Sequence, residues 1–105
     1  MNASVPVTPD GRYIVVRGRL WRASNPHLPA AEREQWVARL MKGRRAVQAA
    51  MRTGDREALH RARRAVDEAK RGLGERGPVW WKDGDEDYNR HLVKNSPYAD
   101  WFDKT

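Results

Sequence analysis

The sequence of 105 residues predicts a small α+β fold, mainly helical with a minor β element. Three observations support this prediction: two consecutive stretches with helical periodicity, a β-branched run near the start, and a Trp-rich stretch near the end. We expect an antiparallel helical hairpin over residues 30–73. An N-terminal β-hairpin and a C-terminal Trp-rich block with one or two short helices are expected to cover it.

The second helix of this hairpin has the clearest periodicity. Asp55 is predicted as its N-cap, and Gly72 or Gly74 as the left-handed residue that ends it. Its apolar residues recur at alternating spacings of three and four, which places them on one helical face. They are Leu59, Ala62, Val66, Ala69 and Leu73.

The first helix carries a matching apolar stripe. Pro29 is expected at its first position, where no backbone donor is needed. Gly43 lowers helix propensity, so we expect it to let the second helix come close, and Gly54 to form the turn. The stripe consists of Trp36, Leu40, Gly43, Val47 and Ala50.

The two ends of the chain are expected to join one globular domain over residues 12–105, preceded by a flexible arm at residues 1–11. Within residues 12–29 a β-hairpin is predicted to turn at Arg17-Gly18, with a single strand bent at Gly18 as the alternative. Within residues 74–105 three further elements are predicted. They are an extended segment at Val79-Trp80-Trp81 that could add a third strand, a short helix over residues 85–94, and a last helical turn starting at Ser96-Pro97.

Composition narrows the classes of function. The chain has no cysteine, which excludes disulfides, thiolate zinc sites and a cysteine nucleophile. Its N-terminus lacks the pattern of a signal peptide, and no apolar run is long enough to cross a bilayer. We therefore expect a cytoplasmic protein that does not engage a membrane.

The formal net charge of +7 is concentrated in the helical hairpin. Residues 30–73 carry twelve Lys and Arg against six acids. Folding back at Gly54 brings residues ten before the turn opposite residues ten after it, so a basic cluster is expected that could neutralise phosphates. Its members are Lys42, Arg44, Arg45, Arg63 and Arg64.

The alternative interpretation of this cluster is a solvated face tied by ion pairs between successive helical turns. Four pairs have the supporting spacing. They are Glu57–Arg61, Arg63–Asp67, Arg64–Glu68 and Asp67–Arg71.

The Trp-rich block is the second candidate surface. Side chains alternate along a strand, so Trp80 and Trp81 cannot both point inward, and one must be exposed or covered by another segment. The pair could anchor a protein partner, although Trp in a small domain is most often core. Asp83, Asp85 and Asp87 begin like a calcium loop, but its later positions do not fit. Neither a metal site nor a cofactor nor a catalytic constellation is predicted.

Two strings of the chain resemble a family of small uncharacterised bacterial proteins, some of which carry the automatic label "biopolymer transporter Tol". The first string is residues 12–22, followed by Ser24-Asn25-Pro26 and Leu28-Pro29. The second is residues 77–81, followed by Asp83-Gly84, Asp87, Asn89-Arg90, Asn95 and Pro97-Tyr98. The sequence does not support the transport label, because no apolar run is long enough to span a membrane.

The resemblance implies that the two terminal blocks form one unit, whose polar and aromatic residues would be a second candidate site. They are Arg19, Arg22, Asn25, Trp80, Trp81, Asp83, Asn89 and Arg90. These polar groups could instead satisfy one another and fix the blocks together.

Three hypotheses of function follow. The first is a non-enzymatic module that binds an anionic macromolecule, such as nucleic acid, through the basic helical face. The second is a protein–protein adaptor or homodimer that uses the surface of Trp80 and Trp81. The third is an enzyme with a polar site between the terminal blocks.

Overall fold

The computed structural model describes residues 5–105 and confirms the predicted fold class. The chain divides into two compact units. The helical unit comprises residues 25–78, and the terminal unit joins residues 5–24 to residues 79–105. In chain order the elements are β1 (Tyr13–Val16), β2 (Arg19–Arg22), α1 (Ala30–Thr53), α2 (Arg56–Leu73), a 3₁₀ turn (Val93–Asn95) and α3 (Ala99–Asp103).

The helical unit is the predicted antiparallel hairpin. Gly54 adopts a left-handed conformation with φ 69° between α1 and α2. Asp55 is the N-cap of α2, and its side chain accepts a hydrogen bond of 3.0 Å from the Ala58 amide. Gly74 ends α2 with φ 86°, as one of the two predicted glycines. Pro29 lies one position earlier than expected, as the N-cap residue of α1.

The two helices approach closely at small residues. Leu40, Ala69 and Leu73 form a buried hydrophobic cluster, and Ala50 and Ala62 are also buried. Gly43 fulfils its predicted role, because a Cβ atom there would lie 3.0 Å from Cγ2 of Val66. Gly72 has a role that the sequence did not reveal. It lies inside α2 rather than at its end, and a Cβ atom there would overlap the indole ring of Trp36.

The terminal unit contains the predicted β-hairpin. Strands β1 and β2 pair antiparallel, from Tyr13↔Arg22 to Val16↔Arg19. Both turn residues have positive φ, 54° at Arg17 and 78° at Gly18, which matches the backbone twist of a two-residue hairpin. A non-glycine residue rarely adopts this conformation, so the turn depends on Arg17 tolerating it.

The segments beside this hairpin differ from the prediction. Within the described residues the sheet has two strands, so the predicted third strand at residues 79–81 is wrong. The backbone of residues 6–8 instead bonds to β1, and the backbone of residues 90–93 bonds to β2. Residues 6–8 belong to the predicted flexible arm, whose residues 1–4 lie outside the described part of the chain.

The core of the terminal unit is aromatic. Tyr13 is fully buried and makes edge-to-face contacts with Trp81 at 5.7 Å and with Tyr98 at 5.6 Å between ring centroids. Trp80 packs against this core, edge-on to Trp81 at 5.1 Å. Such pairs add stabilisation beyond the apolar area that they bury.

The predicted helix over residues 85–94 is also wrong. Asp87 accepts a hydrogen bond of 3.0 Å from the Asn89 amide, which favours a turn over a helix. Arg90 then adopts φ 72°, so a regular helix cannot continue through it. Only the 3₁₀ turn at Val93–Asn95 forms in this region. Ser96 accepts a hydrogen bond from the Tyr98 amide as an N-cap would, although α3 begins at Ala99.

Candidate functional site

The basic face of the helical unit is divided by its geometry. Arg44 of α1 and Arg63 of α2 line one groove between the helices, of about 500 Å³, which we call the basic groove. Its lining is Arg44, Val47, Gln48, Arg63, Val66 and Arg76. Val47 and Val66 are half-buried in the stripes that face the neighbouring helix, so they form the apolar floor of the groove.

The other three predicted cations lie elsewhere on the same unit. Lys42 lines a second groove of about 610 Å³, whose floor consists mostly of alanine. Arg64 lines a shallow surface with Arg56, Glu57, His60 and Arg61. Arg45 is exposed and lines none of these grooves. The structure therefore brings together Arg44 and Arg63 out of the predicted set of five.

Arg76 is the residue of the basic groove that sequence reasoning missed. It lies beyond the end of α2, where helical periodicity carries no information. Its Nη1 atom lies 2.9 Å from Oδ1 of Asp67, while Nε of Arg71 lies 2.9 Å from Oδ2 of the same carboxylate. Both oxygens of Asp67 are therefore engaged. The hydrogen bonds from Arg76 and Arg71 hold the pKa of Asp67 below its usual value, so the carboxylate stays charged at neutral pH.

This arrangement decides which of the predicted helical ion pairs form. Asp67–Arg71 forms at 2.9 Å and Glu57–Arg61 at 3.8 Å. The two other predicted pairs, which would have engaged Arg63 and Arg64, are absent within residues 5–105. The five cations of the predicted basic cluster make no salt bridge within 4.0 Å in this part of the chain. These five are Lys42, Arg44, Arg45, Arg63 and Arg64.

The second candidate site, in the terminal unit, consists of polar groups that bind one another. The side chain of Arg22 is buried, and its Nη1 donates to Oδ2 of Asp87 at 2.9 Å. The backbone amide of Arg22 donates to the side-chain oxygen of Asn89 at 2.8 Å. Arg19 donates to the carbonyl of Arg90 at 2.8 Å. Asn25 belongs to the helical unit, where its backbone amide donates to the carbonyl of Leu73 at 2.7 Å.

Arg12 organises the acidic side of the terminal unit, a role that the sequence did not reveal. Its guanidinium forms ion pairs with Asp83 and, at 2.9 Å, with Asp85. The same group lies 4.7 Å from the ring of Trp81, in position for a cation–π contact. The hydrogen bond from Arg12 holds the pKa of Asp83 below its usual value. Of the alternate aspartates that resemble the start of a calcium loop, Asp83 and Asp85 therefore bind Arg12, and Asp87 binds Arg22.

Tyr13 and Tyr98 of this unit each donate a hydrogen bond to a carboxylate. Tyr13 donates to Oδ1 of Asp87 at 3.1 Å and accepts from the Tyr88 amide at 2.7 Å. Tyr98 donates to Oδ2 of Asp10 at 2.6 Å. Burial raises the pKa of both phenols far above the usual value. Both phenols are un-ionised near neutral pH and serve as hydrogen-bond partners within the terminal unit.

Trp80 and Trp81 are both covered by other segments. Trp81 is buried and its indole N–H donates to the carbonyl of Asp85 at 3.0 Å. The indole N–H of Trp80 donates to the carbonyl of Ala23 at 3.1 Å, and its ring packs against the core. Both indoles thus serve as core, and the large exposed aromatic side chain of this unit is Trp21, which is 38% exposed.

The described residues contain no group of three or more His, Cys, Asp or Glu side chains placed to hold a metal ion. Between residues 5 and 105, none of the helices has the length and apolar character needed to cross a membrane. Comparison of the chain with protein-family models, curated proteins and solved structures gives no match. The family resemblance noted above therefore stays a prediction, and function has to be argued from the geometry.

Proposed function

We propose that the protein binds an anionic macromolecule, in the first place nucleic acid, through the basic groove of the helical unit. One observation carries this proposal: Arg44 and Arg63 face the same groove, and neither has a carboxylate partner within residues 5–105. An exposed surface arginine usually has little energetic value inside its own protein, but a pair on one groove can bind the oxygens of a phosphate.

The reason that Arg63 lacks a partner supports the proposal. Its nearest acid by helical spacing is Asp67, and that carboxylate is already bound by Arg71 and Arg76. Arg76 thus occupies the acid that would otherwise neutralise Arg63, while adding its own charge to the groove. The net charge of the helical unit is strongly positive, with thirteen Lys and Arg against seven acids in residues 25–78. Such a field attracts polyanions from solution.

The lining of the basic groove indicates which kind of recognition to expect. Its six residues include no aromatic ring, so the groove offers no platform on which a base could stack. The guanidinium groups and the amide of Gln48 can donate hydrogen bonds to phosphate and sugar oxygens. We therefore expect binding that depends on the phosphate backbone and varies little with base sequence.

Fluorescence anisotropy with labelled single- and double-stranded oligonucleotides tests this proposal. Titrations at about 50 and about 150 mM salt measure the affinity and its salt dependence. The double variant Arg44→Gln/Arg63→Gln is expected to lower the slope of log affinity against log salt concentration by about 2, one for each phosphate that the variant no longer neutralises.

The double variant Arg45→Gln/Arg64→Gln is the matched control, because it removes the same charge from the same two helices but outside the basic groove. A smaller loss of affinity for this control supports the groove. An equal loss for both variants would indicate attraction by net charge alone and would contradict a localised site. Absence of binding at both salt concentrations would remove nucleic acid as the partner.

The other hypotheses receive less support from the geometry. An adaptor surface at Trp80 and Trp81 would need exposed rings, whereas both rings pack into the terminal unit. An enzyme built on Arg22, Asp87 and Asn89 would need groups free to act on a substrate, whereas these are bonded to one another. A cytoplasmic location, where nucleic acid is accessible, belongs to the proposal and awaits localisation in cells.

A further inference from the structure

The outer face of the β-hairpin is apolar and exposed. Side chains alternate along each strand, so Tyr13, Val15 and Leu20 point into the core of the terminal unit. The alternate positions form the opposite face, and the pairing register sets Ile14 beside Trp21 and Val16 beside Arg19. Trp21 is 38% exposed and Val16 is 37% exposed. We call this surface the outer sheet face.

Two neighbouring segments widen the outer sheet face. An isolated bridge pairs Val7 with Ile14, and a second one pairs Arg19 with Leu92. Val7 is 50% exposed. Rows of side chains therefore run across the face, with Val7, Ile14 and Trp21 in one row. Tryptophan and arginine are among the residues enriched at the centre of protein interfaces.

A partner cannot add a strand directly to β1 or β2. Along the outer edge of β1, the Thr8 amide donates to the carbonyl of Tyr13 and the Val15 amide to the carbonyl of Pro6, each at 2.9 Å. Along the outer edge of β2, Leu20 is bonded through both its amide and its carbonyl to residues 90–91. These backbone groups of β1 and β2 are thus occupied, so recognition at this face uses its side chains.

The charge on this surface is positive. Arg19 lies on the face itself, and Arg17 forms the adjoining turn. Three acids of the terminal unit are engaged by other arginines, since Asp83 and Asp85 bind Arg12 and Asp87 binds Arg22. A second copy of the chain would set these arginines against each other, which like-charge repulsion disfavours. A partner with carboxylates around an apolar centre complements both the charge and the aliphatic surface.

We propose that the outer sheet face is a docking surface for a helix of a partner protein, amphipathic and acidic, with Trp21 as its anchor. The apolar side of that helix covers Ile14, Val16 and Trp21, and its flanking carboxylates meet Arg17 and Arg19. This interaction is independent of nucleic-acid binding by the basic groove, so either can fail without the other.

The test uses the whole chain of 105 residues and a designed helical peptide with leucines on one face and glutamates flanking them. A second peptide carries lysine at every glutamate position. The indole N–H resonance of Trp21, identified by its loss in Trp21→Thr, reports binding at the face itself. We expect the acidic peptide to shift this resonance saturably, and Trp21→Thr to weaken the affinity measured by calorimetry about 30-fold.

Val37→Thr is the matched control, because Val37 is equally apolar and 37% exposed but lies on α1. It is expected to leave the affinity unchanged, and an unchanged melting temperature of Trp21→Thr shows that the variant folds. The proposal is overturned if both peptides bind equally well, or if neither shifts the indole of Trp21. It is equally overturned if an oligonucleotide shifts this indole instead, or if sedimentation shows a dimer that Trp21→Thr dissociates.

Discussion

In the helical unit the two long helices meet through glycine and alanine, whereas in the terminal unit arginines, carboxylates and aromatic rings hold the chain together. Gly43 faces Val66, and Gly72 faces the ring of Trp36. In the terminal unit Arg22 binds Asp87, 65 residues later, and Tyr13 binds the amide of Tyr88, 75 residues later. The first kind of contact depends on shape, and the second depends on particular pairs of polar groups.

This difference has consequences for how each unit can fail. A close helix–helix contact tolerates no added atoms, so the helical unit is sensitive to small increases in side-chain volume. The terminal unit buries polar groups that are stable only with their partners, so it is sensitive to the loss of one of them. Substitutions of each kind can therefore separate the two units experimentally.

Asp87→Ala is expected to have the largest effect. The Asp87 side chain accepts hydrogen bonds from the buried guanidinium of Arg22, from the hydroxyl of Tyr13 and from the Asn89 amide. Removing it takes a carboxylate from a buried guanidinium, and because Asp87 itself is 36% exposed we expect a loss of about 2 to 3 kcal/mol of folding stability. Urea unfolding followed by near-UV circular dichroism, which reports on the aromatic core, measures the loss.

Asp103→Ala is the control for this variant, since Asp103 is exposed and makes no salt bridge within the described residues. We expect it to change stability by less than about 0.5 kcal/mol. If Asp87→Ala were as mild as this control, the polar cluster would not be what holds the terminal unit together.

Gly72→Ala is expected to have the next largest effect, and in the helical unit. Alanine improves helix propensity by about 1 kcal/mol. Its Cβ would overlap the indole of Trp36, and such overpacking typically costs about 1 to 3 kcal/mol. Because the overlap is with the body of a ring, the steric cost is expected to dominate, and thermal unfolding should show a lower melting temperature.

Gly43→Ala provides the graded comparison. The added Cβ would lie 3.0 Å from Cγ2 of Val66, a tight contact that a small shift can relieve. We expect a change in folding stability within about 1 kcal/mol of zero, since the gain in helix propensity offsets the contact.

Combining Gly72→Ala with Trp36→Phe should recover part of the stability that Gly72→Ala loses. Strictly additive effects would argue against direct contact between the two positions.

The same difference explains what the sequence could reveal. The hairpin from Ala30 to Leu73 was predictable because its signals are local: apolar spacing, the Asp55 cap and the turn at Gly54. The structure of residues 79–95 was not, because Asp83, Asp85 and Asp87 are used by arginines some 65 to 73 residues away rather than by a helix of their own.

The candidate site shows the same limit on a smaller scale. Helical spacing assigned Asp67 to both Arg63 and Arg71, and nothing local reveals that Arg76 competes for it from beyond the helix. The same limit applies to Gly72, since periodicity identifies the face of a helix but not the ring that packs against it. Cations can thus be assigned to a helix from sequence, but their freedom to bind a ligand depends on folded geometry.

The smallest expected effect is a change in how folding stability depends on pH when an arginine that binds an aspartate is replaced. One such arginine lies in each unit, and the two differ in what else they contact. Arg12 holds the pKa of Asp83 below the usual 3.8, and Arg76 does the same for Asp67. A lowered pKa contributes stability above the unfolded-state pKa, and that stability is lost as pH falls through the folded-state pKa. Arg12→Met and Arg76→Met should therefore both lower stability near pH 6, and both differences from wild type should shrink below about pH 4.

The two variants should differ in what remains at low pH. Arg12 also lies over the ring of Trp81, a contact that does not require an ionised carboxylate and is worth about 0.5 to 1 kcal/mol at exposed sites. Part of the Arg12→Met effect should therefore persist in urea unfolding once both carboxylates are protonated, where the Arg76→Met effect should be smaller because the ion pair of Arg76 in the described residues is with Asp67. Equal residual effects in acid would mean that the arginine of the terminal unit acts only through its carboxylates, and the contribution assigned to the aromatic core would then be wrong.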